Sequence, residues 1–168
     1  MTDTRWLSDP EREAWVRFSA VLELLPAALD AQLTHDASLT HFDYFTLAML
    51  SEAPGRVLRS SALAARTNAS LPRLSKVISR LADRGFVTRY PCAEDKRATN
   101  IELTEAGWKK VVASAPGHVE NVRAMVIDAL TADQVSQLSA ISAALLTRLD
   151  PDGKMLASAA HDEPSTIG

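Results

Sequence analysis

Residues 70–107 read SLPRLSKVISRLADRGFVTRYPCAEDKRATNIELTEAG, and the fold turns on their first half. Ser70 suits a helix N-cap and Pro72 the first turn. Leu74, Val77, Ile78 and Leu81 then recur at spacings of three and four, and Gly85 is a natural stop. The spacing predicts a helix over 70–84 with one buried stripe. With Leu74 as origin and about 100° per residue, Lys76 falls near 200°, Arg80 near 240° and Arg73 near 260°, opposite that stripe. Ser75 and Ser79 lie between. Such a face offers cations and hydroxyls to phosphates and guanine edges in a major groove. An ordinary solvated basic face has the same pattern, so this helix alone does not decide the matter.

Its neighbours do more. Before it, SSALAARTN predicts a helix of about two turns, capped by Ser60 or Ser61. After it, FVTRY and NIELT are strand-like in their β-branched and aromatic content, and AEDKRAT forms the charged tip between them. A short helix, a tight turn, a longer helix, a strand, a charged tip and a strand make a helix-turn-helix with a two-stranded wing at 86–103. Arg89 on the first strand, with Lys96 and Arg97 at the tip, adds cations to the side where the basic helix face lies. A tip arginine has the reach and shape for a narrow minor groove.

The stretch from Leu63 to Gly107 resembles the winged helix-turn-helix core of the MarR family of bacterial transcriptional regulators. Leu63-Ala64, Arg80-Leu81, Gly85, Asp95-x-Arg97, Leu103-Thr104 and Gly107 carry the resemblance. The similarity in arrangement runs from about Trp6 to Asp150. The resemblance implies an obligate homodimer with interleaved terminal helices, a second helix in the major groove and a wing arginine in the minor groove. The family pattern places that arginine at Arg97 and its positioning aspartate at Asp95. It also implies repression of promoters, often relieved by a small aromatic or phenolic ligand.

Outside the wing the chain reads as helix. Ser8 or Asp9 caps a first amphipathic helix carrying Trp15, Phe18, Leu22, Leu25 and Leu29, which Pro26 is expected to kink. Thr40 and Asp43 open a second, and Pro54-Gly55 closes it. RVLR is compatible with a very short strand. Thr104 caps a helix expected to bend or break at Pro116-Gly117. Thr131 and Gln134 form a capping box for the last helix, with apolar residues at 135, 138, 141, 145, 146 and 149. The first and last helices carry more apolar surface than one small winged lobe can cover, and a two-fold partner resolves this.

The bulk numbers agree. Net charge is −3, yet Pro54–Lys110 holds twelve basic and five acidic side chains, +7, and the remainder is −10. A basic middle between acidic ends fits a protein whose middle meets a polyanion. With one cysteine, Cys92, no intramolecular disulfide is possible. The N-terminus lacks the apolar core of a signal peptide, and no apolar run is long enough to span a bilayer, so a cytoplasmic protein is expected.

Sharper readings of single residues compete with plain ones. Cys92 at the end of the first wing strand reads as a redox sensor or as a small residue. His35 and His41, with Asp36 and Asp43, match no standard zinc spacing, and capping or surface roles account for them. His118 and His161 stand isolated. Trp15, Phe18, Phe42, Tyr44 and Phe45 are natural core residues and, as a group, the candidate effector pocket. No Gly-rich phosphate loop, nucleophile elbow or catalytic His/Cys/Asp spacing points to an enzyme.

The expectation is a mainly α protein with a small β wing: a winged helix-turn-helix plus N- and C-terminal dimerisation helices. Residues 1–38 and 113–150 form the dimerisation region, 39–112 the DNA-binding domain and 151–168 a polar tail. The partners are double-stranded DNA with a pseudo-palindromic operator, a second copy of the chain and a small aromatic effector, with no cofactor, metal or membrane. The DNA-binding set is Ser70, Pro72, Arg73, Ser75, Lys76, Ser79, Arg80, Arg89, Asp95, Lys96 and Arg97. The alternative is a dimeric ligand- or redox-sensing module with weak or lost DNA binding.

Overall fold

The computed structural model describes residues 4–93, 95 and 97–155; Glu94, Lys96, His161 and most of the polar tail lie outside the described residues. The elements follow as α1 (Asp9–Ala37), α2 (His41–Ser51), β1 (Val57–Arg59), α3 (Ser60–Arg66), α4 (Leu71–Asp83), β2 (Val87–Pro91), β3 (Thr99–Leu103), α5 (Glu105–Met125) and α6 (Ala132–Leu149). The chain is mainly helical, with one antiparallel three-stranded sheet ordered β1-β3-β2. RVLR therefore does more than its length indicates. Val57, Leu58 and Arg59 pair with Glu102, Ile101 and Asn100, so the expected two-stranded wing gains a third strand at its base.

Most helix starts are written locally. Ser8 offers its N–H to Glu11 Oε2 at 2.7 Å. Thr40 Oγ1 accepts the N–H of Asp43, and Asp43 Oδ2 accepts that of Thr40. Ser70, Thr104 and Thr131 accept from the third helical residue of α4, α5 and α6. Each satisfies an otherwise orphaned N–H, typically worth about 1 kcal/mol. The expected cap at Ser60 or Ser61 does not form: α3 begins at Ser60 after Arg59, with no side-chain cap. Ser60 Oγ instead donates to the carbonyl of Thr99, so sheet pairing takes the hydroxyl that capping would have used.

A second difference is that the chain does not break at Pro116-Gly117. α1 continues through Pro26, and α5 runs unbroken through Pro116-Gly117 to Met125. Proline costs the helix one hydrogen bond and crowds the preceding turn, whereas α5 gains packing against α1. Gly117 lies at that crossing, where an added Cβ would come 3.4 Å from Gln32 Nε2. The break comes later, at Val126, where φ −127° and ψ −62° leave the helical region.

The core sits beneath the helix-turn-helix. Leu33, Leu39, Leu47, Leu50, Leu63, Leu74 and Leu81 are all but fully buried, joined by Val87, Ile101 and Leu103 from the sheet. α1 contributes only Leu33 and Ala37 as buried residues, and α6 contributes none. Trp15, Val16, Val21 and Leu22 on α1, and Leu138, Ile141, Leu145 and Leu149 on α6, are exposed. No helix among the described residues is long and apolar enough to cross a membrane.

Where α1, α2 and α5 meet, the Tyr44 and His118 rings lie 4.7 Å apart, and His118 and His41 6.0 Å apart. Burial, reinforced by the charge of His41, holds His118 below the usual imidazole range. Burial lowers His41 too, against an opposing pull from Asp30. The folded state therefore binds fewer protons than the unfolded chain as pH drops below about 6.5, and the stability present above that value is lost in acid.

Two outcomes are expected. Gly107 sits so close to the end of β2's approach that an added Cβ would lie 2.1 Å from the Phe86 carbonyl oxygen. Gly107→Ala should cost about 2–3 kcal/mol, lowering the thermal midpoint by about 6–10 °C; an unchanged midpoint in circular dichroism would show that the contact is slack. Between pH 7 and 5.5 the midpoint should fall less in His118→Gln than in the parent, and parallel profiles would rule out His118 as a source of acid sensitivity.

Candidate nucleic-acid interface

The stripe Leu74, Val77, Ile78 and Leu81 is buried, and this fixes the rotation of α4 about its own axis. Ser70, Pro72, Arg73, Ser75, Lys76 and Arg80 consequently lie on its exposed side, with Ser79 half-buried. Three of these are held by neighbours. The Arg73 guanidinium lies 4.2 Å above the Phe42 ring, a cation–π contact that steadies a long side chain. Ser79 Oγ accepts from Arg89 Nη1 at 3.2 Å, tying α4 to β2. Arg80 Nη2 binds Asp43 Oδ1.

That last pair joins two helices. Asp43 is 2% exposed, and its other oxygen closes the cap of α2. A carboxylate so buried requires compensating partners, and it has the Arg80 cation and the Thr40 N–H. Arg80, half-exposed, thus holds α4 to the start of α2 while presenting the rest of its guanidinium outward. An acidic residue inside HFDYFTLAML is the sequence signal for such a bond, although nothing local names Arg80 as its partner.

The wing is closed by backbone. Val87–Pro91 pairs with Thr99–Leu103, Cys92 N–H reaches Ala98 O, and Ala98 N–H reaches Asp95 O. Asp95 Oδ1 accepts the Arg97 N–H at 3.0 Å and lies 3.6 Å from Arg97 Nε. The Arg97 side chain is 95% exposed. Lys96 lies outside the described residues. Cys92 is buried, with its sulfur 3.6 Å from Arg59 Nη2. At the wing's foot, Thr104 Oγ1 donates to Gly85 O, and Thr104 N–H donates to Phe86 O. These bonds couple the end of α4 to the start of α5. Gly85, at φ +74°, makes the left-handed turn from α4 into β2.

The five aromatic residues differ in their surroundings. Trp15 and Phe18 remain exposed on α1. Phe42 lies under Arg73, Tyr44 faces His118, and Phe45 stacks with His41 at 6.5 Å. His118, absent from that group, is the residue the sequence reading left isolated. Its Nδ1, like Asn121 Nδ2, is buried without a hydrogen-bond partner among the described residues. Among the described residues no His/Cys/Asp/Glu group is arranged to hold a metal.

The MarR family model matches residues 39–99. Sco3205 of Streptomyces coelicolor, a MarR family transcriptional regulator solved in complex with DNA, superposes with a TM-score of 0.85 at 36% identity, covering 90% of this chain and 94% of that one. AbsC, a MarR family transcriptional regulator of the same organism, superposes with a TM-score of 0.76 at 36% identity, covering 92% and 99%. The HTH-type transcriptional repressor YetL of Bacillus subtilis (strain 168) is 34% identical over 80 residues, so the match spans about half the length of that curated relative. With 36% identity sustained along nearly the full length of two such regulators, the chain belongs to the MarR family.

Proposed function

We propose that this protein is a cytoplasmic, dimeric, sequence-specific DNA-binding regulator that represses transcription and is released by a small aromatic effector. Residues 39–112 form its DNA-binding domain; 1–38 and 113–150 form its dimerisation region. One observation carries the reading. The hydrogen bond from Arg89 to Ser79 joins the first wing strand to α4, which supports one shared cationic surface. Arg73, Ser75, Lys76, Ser79 and Arg80 meet the major groove and its phosphates, with Ser70 and Pro72 at the helix entry. Arg97 enters the minor groove, positioned by Asp95, with Lys96 beside it. Sco3205, similar over 94% of its length, was solved bound to DNA.

The exposed apolar rows of α1 and α6 support the dimer. Each such side chain gains about 1.5–3 kcal/mol on leaving water, and a second copy offers the same surface in return. Two-fold symmetry then makes the operator pseudo-palindromic. Support for an effector comes from the meeting of α1, α2 and α5, where Tyr44 and Phe45 adjoin polar atoms that lack partners. The repressor assignment follows the name of YetL.

Arg97→Ala should weaken operator binding by about 1–3 kcal/mol and lower the slope of log affinity against log salt by about one, with the fold unchanged. Fluorescence anisotropy at several salt concentrations measures both quantities. Equal affinity and equal slope would remove Arg97 from the interface.

A further inference from the structure

The exposed apolar side chains fall into two groups. Nearly all lie on α1, α5 and α6, where the dimer accounts for them. Between residues 39 and 110, the large apolar side chains exposed among the described residues are Leu71 and Tyr90. Tyr90 neighbours Arg89 along β2, so the pleat turns it to the other face of the sheet. Leu71 is the first residue of α4 and is 56% exposed. It stands about 60° from Leu74 around the helix, at the margin of the buried stripe. It borders two shallow clefts between α4 and the wing, sharing one with Ser75 and Arg89 and the other with Ser60 and Arg97. An apolar side chain is thus set among the groups assigned to phosphates and base edges.

Resting on the DNA-binding reading above, we propose that Leu71 is a specificity-determining residue that packs against the 5-methyl group of a thymine in the major groove. The first residues of a recognition helix are the ones that meet base edges. The thymine methyl is the only apolar group a base edge presents there, and it is what a leucine can distinguish. Hydroxyls and guanidinium groups on either side satisfy the polar edges and phosphates, leaving Leu71 to cover the methyl. The operator then requires thymine at one position of each half-site, for a reason that hydrogen bonding does not supply.

The test uses the full chain and a duplex that it selects from a random-sequence pool. Each thymine of the selected site is replaced in turn by deoxyuridine, which keeps every hydrogen-bonding group and removes only the methyl. One thymine per half-site should show binding weakened about four-fold, the effect of losing one buried methyl. Leu71→Ala should bind thymine and deoxyuridine duplexes alike. A wild-type scan that is flat at every thymine overturns the proposal while leaving DNA binding intact, and so does methyl sensitivity that survives in Leu71→Ala. If the pool yields no enriched sequence, the DNA-binding reading itself fails, and the role of Leu71 with it. Because a flat wild-type scan overturns the proposal by itself, it stays falsifiable even if the variant folds poorly.

Discussion

α4 can bury only one of its faces, and the position of every polar group on it follows from which one. Leu74, Val77, Ile78 and Leu81 enter the core beside Leu47, Leu50 and Leu63. Burying side chains of this kind is worth about 1.5–3 kcal/mol each. Rotating the helix by one residue, about 100°, would expose part of that stripe and drive cations toward the core. The exposed arc with Arg73, Ser75 and Lys76 is therefore a consequence of core packing.

Two polar ties convert that oriented helix into a composite surface. The first is Asp43 with Arg80. A carboxylate that is 2% exposed caps α2 and grips α4, so the two helices share one charged joint. Removing Arg80 would leave the buried Asp43 carboxylate without its cation, the costly side of breaking such a pair. The second is Arg89 with Ser79, which sets the wing's angle against α4. Thr104 completes the frame by bonding to Gly85 and Phe86 and to the first turn of α5. These bonds tie the end of α4, the foot of the wing and the start of α5 into one frame.

What could be read from sequence was what is local. The stripe of α4, the caps at Thr40, Ser70, Thr104 and Thr131, and the turn at Gly85 each depend on residues within one turn of helix. Pro116 was misleading because its penalty is local while the packing of α5 along α1 is not. Ser60 looked like a cap because Thr99, its actual partner, lies 39 residues away. The Asp43–Arg80 pair spans 37 positions, and no periodicity announces it. Leu71 behaves in a related way. At the edge of an apolar stripe it reads as core until the structure shows it exposed. The aromatic group was read by residue type, and type alone does not determine direction. Trp15 and Phe18 point outward, whereas the isolated-looking His118 packs against Tyr44.

The apolar rows of α1 and α6 and the cationic face of α4 and the wing are two halves of one claim: a symmetric pair presents two recognition helices together. A chemical footprint of the full chain on its selected duplex tests it most directly, using dimethyl sulfate for guanines in the major groove and hydroxyl radicals for the backbone. The expected pattern is two protected major-groove patches on one face of the duplex. They should be related by a dyad and centred about one helical turn apart, each with a protected minor-groove segment beside it. A single patch without a symmetric mate, or protection with no preferred groove, would contradict the account.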